Sequence, residues 1–160
     1  MKKLVAVLDS TLSIFCVLLT VVLVACVIWQ VFSRYVLGVP STLTDELARF
    51  LFIWVGLMGA AYTLGQNKHL AMDFLLMKLD GRANSLLKLV ISLACVVFAG
   101  VVMLYGGGGL MLKTLSMGQI SPALGIQMGM VYLAIPLSGF IMLVYLFRDI
   151  LSALNGFFGD

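Results

Sequence analysis

Residues Ser10 to Ser33 read STLSIFCVLLTVVLVACVIWQVFS, 24 consecutive positions without a charge. A helix needs about 20 mainly apolar residues to cross a hydrocarbon core of about 30 Å. The stretch therefore fits one membrane crossing, and it sets the solvent in which the rest of the chain is read. Three more charge-free intervals follow: Phe50 to Asn67 with 18 residues, Leu89 to Leu112 with 24, and Thr114 to Phe147 with 34. The first two of these each fit one crossing. The last is too long for one crossing and too short for two with a turn. Its opening, Gly118-Gln119-Ile120-Ser121-Pro122-Ala123-Leu124-Gly125, is rich in breakers and reads as a loop. A helix is expected from about Gln127 to Phe147, loosened around Tyr132 because Pro136 cannot donate to that carbonyl. The expected fold is all-α and integral to the membrane. It is a single four-helix domain over residues 1–160, with spans at about 10–33, 46–67, 86–112 and 127–147.

Composition agrees with a bilayer solvent. Of the 160 residues 62% are hydrophobic and 11% charged, where a soluble domain carries about 25% charged residues. The net charge is +3 and there is no Lys/Arg run, so no nucleic-acid partner is expected. Cys16, Cys26 and Cys95 stand singly in apolar runs, without the spacing of a metal site, and read as small buried apolar residues. No metal and no cofactor is expected. Lys2, Lys3 and the box Leu23-Val24-Ala25-Cys26 resemble a lipoprotein signal. The apolar run continues through Val27, Ile28 and Trp29, past the length of a signal core, so the first span is expected to be retained.

Four crossings place both termini and the second connection on one side. That side holds Lys2, Lys3, Lys68, Lys78, Arg82, Lys88 and Arg148; the other holds Arg34, Arg49 and Lys113. The positive-inside rule then puts both termini in the cytoplasm. Trp29, Phe32 and Tyr35 form an aromatic collar at the outer end of the first helix. In the second connection, Leu70 to Leu79 is apolar with sparse charges and too short to cross. A short interfacial helix is expected there, with an inward extension of the second span as the other reading.

The four charge-free stretches at the core of these spans carry no Asp, Glu, Lys, Arg or His. Ionisable groups inside a membrane are costly and usually mark ion paths or proton relays. A proton-coupled carrier, a membrane thiol oxidase and a metal-dependent hydrolase each need groups that these spans lack. No catalytic residue is expected, and the chain is not expected to be an enzyme. A stand-alone homo-oligomeric carrier or channel is the alternative reading, and it would need a polar path through the spans.

The spans do carry closely spaced small residues: Gly56 and Ala60, Gly59 and Thr63, and the run Gly106, Gly107, Gly108 and Gly109. Small faces let helix backbones approach closely in a bilayer. Glycine also lowers helix propensity, by up to about 1 kcal/mol per residue relative to alanine. Close contact with a partner, or within this chain's own bundle, is expected to offset that.

Two polar clusters stand out. One is Arg34-Tyr35 followed by Pro40 to Arg49. Thr42 is placed to cap the second helix, with Asp45 three residues later as in a capping box. Asp45 and Glu46 suit the positive end of the helix dipole, and Arg49 lies within pairing reach of both. Helix-start physics accounts for Asp45. It does not account for Glu46 and Arg49 nearing the bilayer together, which leaves a docking contact to another membrane subunit open. The other cluster is Lys68-His69 and Asp73, where His69 and Asp73 share a face on a helix and read as an interfacial salt bridge.

Taken in order, Arg34-Tyr35, Asp45-Glu46-Leu47-Ala48-Arg49 leading to Trp54, Gly56 and Gly59-Ala60, then His69 and Asp73, then Ser121 to Ile126, Tyr132 and Pro136, resemble one family. It is the small membrane subunit of tripartite ATP-independent periplasmic (TRAP) transporters, the DctQ-like family. The resemblance covers nearly the whole chain. This sequence departs from the family in having Leu43 and Thr44 where a tryptophan often precedes the acidic pair. No base stands within Leu70-Ala71-Met72, and Gln127 stands where a proline commonly follows Ile126. The resemblance implies a non-catalytic scaffold subunit in a bacterial inner membrane. Its implied partners are membrane lipids, a large sodium-coupled membrane subunit and a periplasmic protein that captures an organic acid, such as a C4-dicarboxylate, a sugar acid or sialic acid. It also implies that Arg34, Glu46, Arg49, His69 and Asp73 make functional contacts, and that the outer edges, Arg34 to Thr44 or Lys113 to Ile126, meet the binding protein.

Overall fold

The computed structural model describes residues 2–66 and 82–158. Helix α1 runs Lys2–Tyr35, α2 Thr42–Gly65 and α3 Arg82–Val97. A π-helical stretch over Phe98–Gly106 carries α3 without a break into α4, Gly107–Ser116. Helix α5, Met128–Tyr132, and α6, Ala134–Phe158, complete the chain. Among the described residues, four helical segments are long and apolar enough to cross a membrane: Val5–Tyr35, Thr42–Gly65, Leu89–Ser116 and Met128–Leu151. The expected interfacial helix at Leu70 to Leu79 lies outside the described residues.

The helices outrun the apolar intervals that suggest them. Helix α1 is helical from Lys2, ahead of the apolar interval that opens at Ser10, α2 from Thr42, ahead of Phe50, and α3 from Arg82, ahead of Leu89. A charge ends an apolar run without ending a helix, because long charged side chains reach the headgroups while their stems stay apolar. The 34 residues of α1 extend on the order of 50 Å at 1.5 Å per residue. That exceeds the hydrocarbon core, so the helix tilts or projects into the interface.

Proline and glycine set the breaks. Past Tyr35 the chain turns through Gly38 at φ 70°, a conformation that glycine adopts without a Cβ clash. Pro40 follows, and Ser41 rather than Thr42 occupies the cap of α2. The Ser41 side chain makes no cap hydrogen bond; instead the Thr44 hydroxyl donates to the Ser41 carbonyl at 3.2 Å. The expected capping box does not form, because the Asp45 carboxylate is engaged by Gln30 and Arg49. In the fourth span the break falls between α5, ending at Tyr132, and α6, starting at Ala134. Tyr132 lies four residues before Pro136, where the ring removes a donor.

Neighbour relations follow the order first, second, fourth, third. Helix α1 lies along α2, α2 along α6, and α6 along both α3 and the π stretch. Of each span's most apolar window, 33% is buried in the fourth span but 11% in the first and third, so the fourth is the interior member. One core joins Val5 and Leu12 of α1, Met58 and Ala61 of α2, and Tyr145 of α6, with Trp54 and Tyr62 against it. A second joins Leu64, Ala99 and Leu146. Glycine permits a close approach of the fourth span to the π stretch: a Cβ on Gly139 would land 2.7 Å from Met103 Cβ and 3.3 Å from the Ala99 carbonyl oxygen.

Candidate functional site

The polar side chains gather at the two ends of the helical layer. At one end the first turn of α2 meets the last turns of α1 and the loop of residues 117–127. Gln30 of α1 donates to Asp45 Oδ1, and Arg49 pairs with Asp45 Oδ2 one helical turn away. The Arg49 side chain is 74% exposed, and exposed pairs of this kind contribute about 0.2–1 kcal/mol. Ser33, buried, donates to the Val39 carbonyl and ties the first connection down.

Glu46 does something different. The backbone N–H groups of Ala123 and Leu124 both donate to its Oε2, at 2.9 and 2.8 Å. The carboxylate thus joins α2 to a loop far along the chain. Hydrogen bonds to an ionised acceptor are roughly twice as strong as neutral ones, and both amides would otherwise lack a helical partner. The loop itself is well bonded. The Ser121 N–H donates to the Ile126 carbonyl at 2.9 Å and the Met128 N–H to the Gln119 carbonyl at 2.9 Å. Buried Ser121 accepts from the Ile126 N–H at 3.2 Å. Gly118 at φ 63° and Gly125 at φ 67° make its two sharp bends.

At the other end lies a cluster that the sequence did not single out. The hydroxyl of Tyr145, fully buried on α6, donates to Asp9 Oδ1 of α1 at 2.5 Å. Arg148, one turn on, stands 5.5 Å from the Tyr145 ring centroid and donates to the Gly65 carbonyl at 2.9 Å. It also pairs with Asp149 at 2.8 Å. Gly65 has to be glycine, since a Cβ there would land 2.5 Å from the Tyr145 ring. A cation on the last carbonyls of α2 also suits the negative end of that helix. Asp9 is the sole acid before Asp45 in the sequence, which is the signal that could have found it.

The singled-out residues therefore divide. Asp45, Glu46 and Arg49 come together at one end. Arg34, in the last turn of α1 at the same end, is exposed. Trp54 is half-buried between α1 and α2, edge-on to Phe15 with ring centroids 6.2 Å apart. His69 and Asp73 lie outside the described residues. Of the small residues, Gly107 packs against Ile135 and Pro136, where a Cβ would collide, and Gly106 meets only its own helix backbone. Gly56, Gly59, Gly108 and Gly109 have nothing within 4 Å of a Cβ position, and Ala60 is exposed.

Among the described residues no three His, Cys, Asp or Glu side chains converge to hold a metal ion, and the three cysteines are unpaired thiols. An open groove of about 400 Å³ runs along Cys16, Val17, Thr20, Val21 and Val24 of α1. Its one hydroxyl, on Thr20, already donates to the Cys16 carbonyl at 2.7 Å. The groove suits an acyl chain better than a polar solute.

Comparison with known proteins agrees with this architecture. Residues 23–156 match the family model described as tripartite ATP-independent periplasmic transporters, DctQ component. A protein of Haemophilus influenzae, named provisionally as a TRAP transporter small permease protein, is 23% identical over 96% of this chain and 94% of its own length. The sialic acid TRAP transporter small permease protein SiaQ of Vibrio cholerae is 31% identical over 66% of this chain and 61% of its own length. The C4-dicarboxylate TRAP transporter small permease protein DctQ of Rhodobacter capsulatus is 30% identical over 66% of this chain and 46% of its own length.

Proposed function

We propose a function from one premise: this chain belongs to the family of DctQ components of tripartite ATP-independent periplasmic (TRAP) transporters. Members are transporter subunits rather than enzymes, and the small permease works with a large permease subunit. On this premise the chain is the non-catalytic scaffold subunit of a sodium-coupled importer of an organic acid. It is a single four-helix membrane domain in a bacterial inner membrane, with both termini cytoplasmic. A large permease carries substrate and sodium, and a periplasmic protein delivers the substrate. The organic-acid class is supported by relatives named for sialic acid and for C4-dicarboxylate.

The observation that carries the reading is the run of neighbours, first to second to fourth to third, fastened by polar contacts at both ends. A layer fastened at both ends resists shear. It also leaves broad apolar faces, with Phe52, Val101 and Phe140 all exposed. Such a body widens the immobile frame against which a large subunit can slide. The open small residues Gly56, Gly59, Ala60, Gly108 and Gly109 offer faces where a partner helix could approach closely. Arg34, Arg49, His69 and Asp73 are the proposed polar contacts to partners. The cytoplasmic placement of the termini is supported by the seven bases on that side against three on the other.

The test is sodium-driven uptake in proteoliposomes that hold the large subunit and the binding protein, with and without this chain. The expected result is uptake only when all three proteins are present. Uptake by this chain alone, or by the other two without it, would overturn the reading.

A further inference from the structure

Close approach accounts for only one glycine in the run of residues 106–109. A Cβ on Gly107 would land 2.4 Å from Ile135 Cγ2, whereas Gly108 and Gly109 have nothing within 4 Å and Gly106 meets only the Val101 carbonyl of its own helix. Unpacked glycines weaken a helix, because they lose more backbone freedom on ordering than other residues do. The run begins where the π stretch ends, at Gly106. Directly across from it the fourth span has its own break, between Tyr132 and Ala134. Pro136 stands beside that break, its Cδ 3.5 Å from where a Cβ on Gly107 would be. Sharp changes of helix direction occur at prolines, at glycines and at π-type irregularities. All three meet here at one depth, in two neighbouring helices.

Beyond this line the chain forms a hairpin of its own, residues 107–132. Helix α4 lies chiefly along α5, and each meets α6 less. The two pack tightly: a Cβ on Gly129 would land 2.3 Å from Leu115 Cγ and 3.1 Å from the Met111 carbonyl oxygen. Backbone bonds from Ser121 to Ile126 and from Met128 to Gln119 close the tip. Among the described residues, the polar tie from this hairpin to α1 or α2 is the pair of bonds that Ala123 and Leu124 make to Glu46. The hairpin is thus stiff within, weak at its base and held at its tip by one side chain.

We propose that residues 107–132 form a hinged arm, which swings about the glycines at 106–109 and the break at 133–136, with Glu46 as its latch. The helices below the hinge stay seated on one another, held by the close contact of Gly139 with Met103 and Ala99. The arm therefore moves as a unit against a fixed inner half. This motion goes beyond the scaffold reading and does not depend on it. Glu46 acts as a positioning residue: its two bonds choose the closed arm, and their loss frees the hinge that the glycines and the proline have already weakened.

The experiment measures spin-label distances by double electron–electron resonance on the full chain in lipid nanodiscs, in a background of Cys16→Ala, Cys26→Ala and Cys95→Ala. One pair of labels spans the latch, at the exposed positions Met117→Cys and Leu43→Cys; a second pair lies outside the arm, at the exposed positions Ala60→Cys and Phe147→Cys. Glu46→Ala is expected to raise the population of a longer distance across the latch at least about tenfold, the effect of losing bonds to a charged acceptor. The second pair is expected to keep its distance. Glu46→Gln retains an acceptor oxygen and is expected to act in the same direction but less, and it carries the test alone if Glu46→Ala does not insert. Adding Gly108→Ala and Gly109→Ala, where a methyl meets nothing, stiffens the helix and is expected to reverse part of the rise. If the distance across the latch stays as in the unsubstituted Glu46 background, Glu46 latches nothing and the proposal falls. If the second pair broadens as much as the first, the whole layer has loosened and there is no hinge. If the two alanines leave the rise unchanged, the chain does not bend at the glycines and the hinge is wrong.

Discussion

The two ends of the helical layer are fastened in opposite ways. At the Glu46 end a side chain holds backbone: one carboxylate gathers two amides of a loop, among exposed neighbours. At the Asp9 end side chain holds side chain: a fully buried tyrosine on α6 reaches α1, and Arg148 reaches the end of α2. The first fastening shapes a surface and the second fixes the angles between helices. Loss of the first should therefore change what the chain presents, and loss of the second whether the layer holds together.

Substitutions at each end can break that contrast. Tyr145→Ala removes a fully buried ring and leaves Asp9 without its donor. A loss of about 3–5 kcal/mol is expected, visible as an early unfolding transition in detergent. Tyr145→Phe keeps the ring and should cost about 1–3 kcal/mol, so that variant reports the hydroxyl and the difference between the two isolates the ring. Gly65→Ala drives a methyl into the Tyr145 ring and should cost about 1–3 kcal/mol by overpacking. Glu46→Ala is expected to leave the melting transition nearly in place while amide exchange at Ala123 and Leu124 speeds up by at least about tenfold. Arg49→Ala breaks only an exposed pair and should shift stability by less than about 1 kcal/mol. If Glu46→Ala melts the whole layer as Tyr145→Ala does, the two ends are not the separate devices described here.

The crossings were legible because a bilayer imposes length and charge limits that few other environments do. Ser10 to Ser33 and Leu89 to Leu112 could hardly be anything else. The helix ends were less legible, because Lys2, Asp9 and Arg82 interrupt apolarity but not helical hydrogen bonding. Of the candidate site, the acidic pair and Arg49 were visible as an anomaly, but the partner of Glu46 was not. Its partner is two backbone N–H groups, and a backbone group has no letter in the sequence. Asp9 and Tyr145 were missed for another reason: each sits at an end of its span, 136 residues apart, and neither forms a local pattern. The glycine run announced close approach, yet only Gly107 of the four meets another helix within the chain.

The π-helical stretch at Phe98–Gly106 has a consequence for how this subunit can vary. Its hydrogen bonds reach back five residues rather than four, so each turn accommodates an additional position. Such a stretch is a helix that has absorbed an insertion without breaking. Everything after it, from Gly107 against Ile135 to Lys113 near the loop, points where the upstream helical phase alone would not send it. Adding or deleting a single residue here would re-aim that whole outer segment while leaving α3 seated on α6. The stretch is thus a phase adjuster, through which related chains could turn their outer end toward different partners without rebuilding the inner half of the molecule.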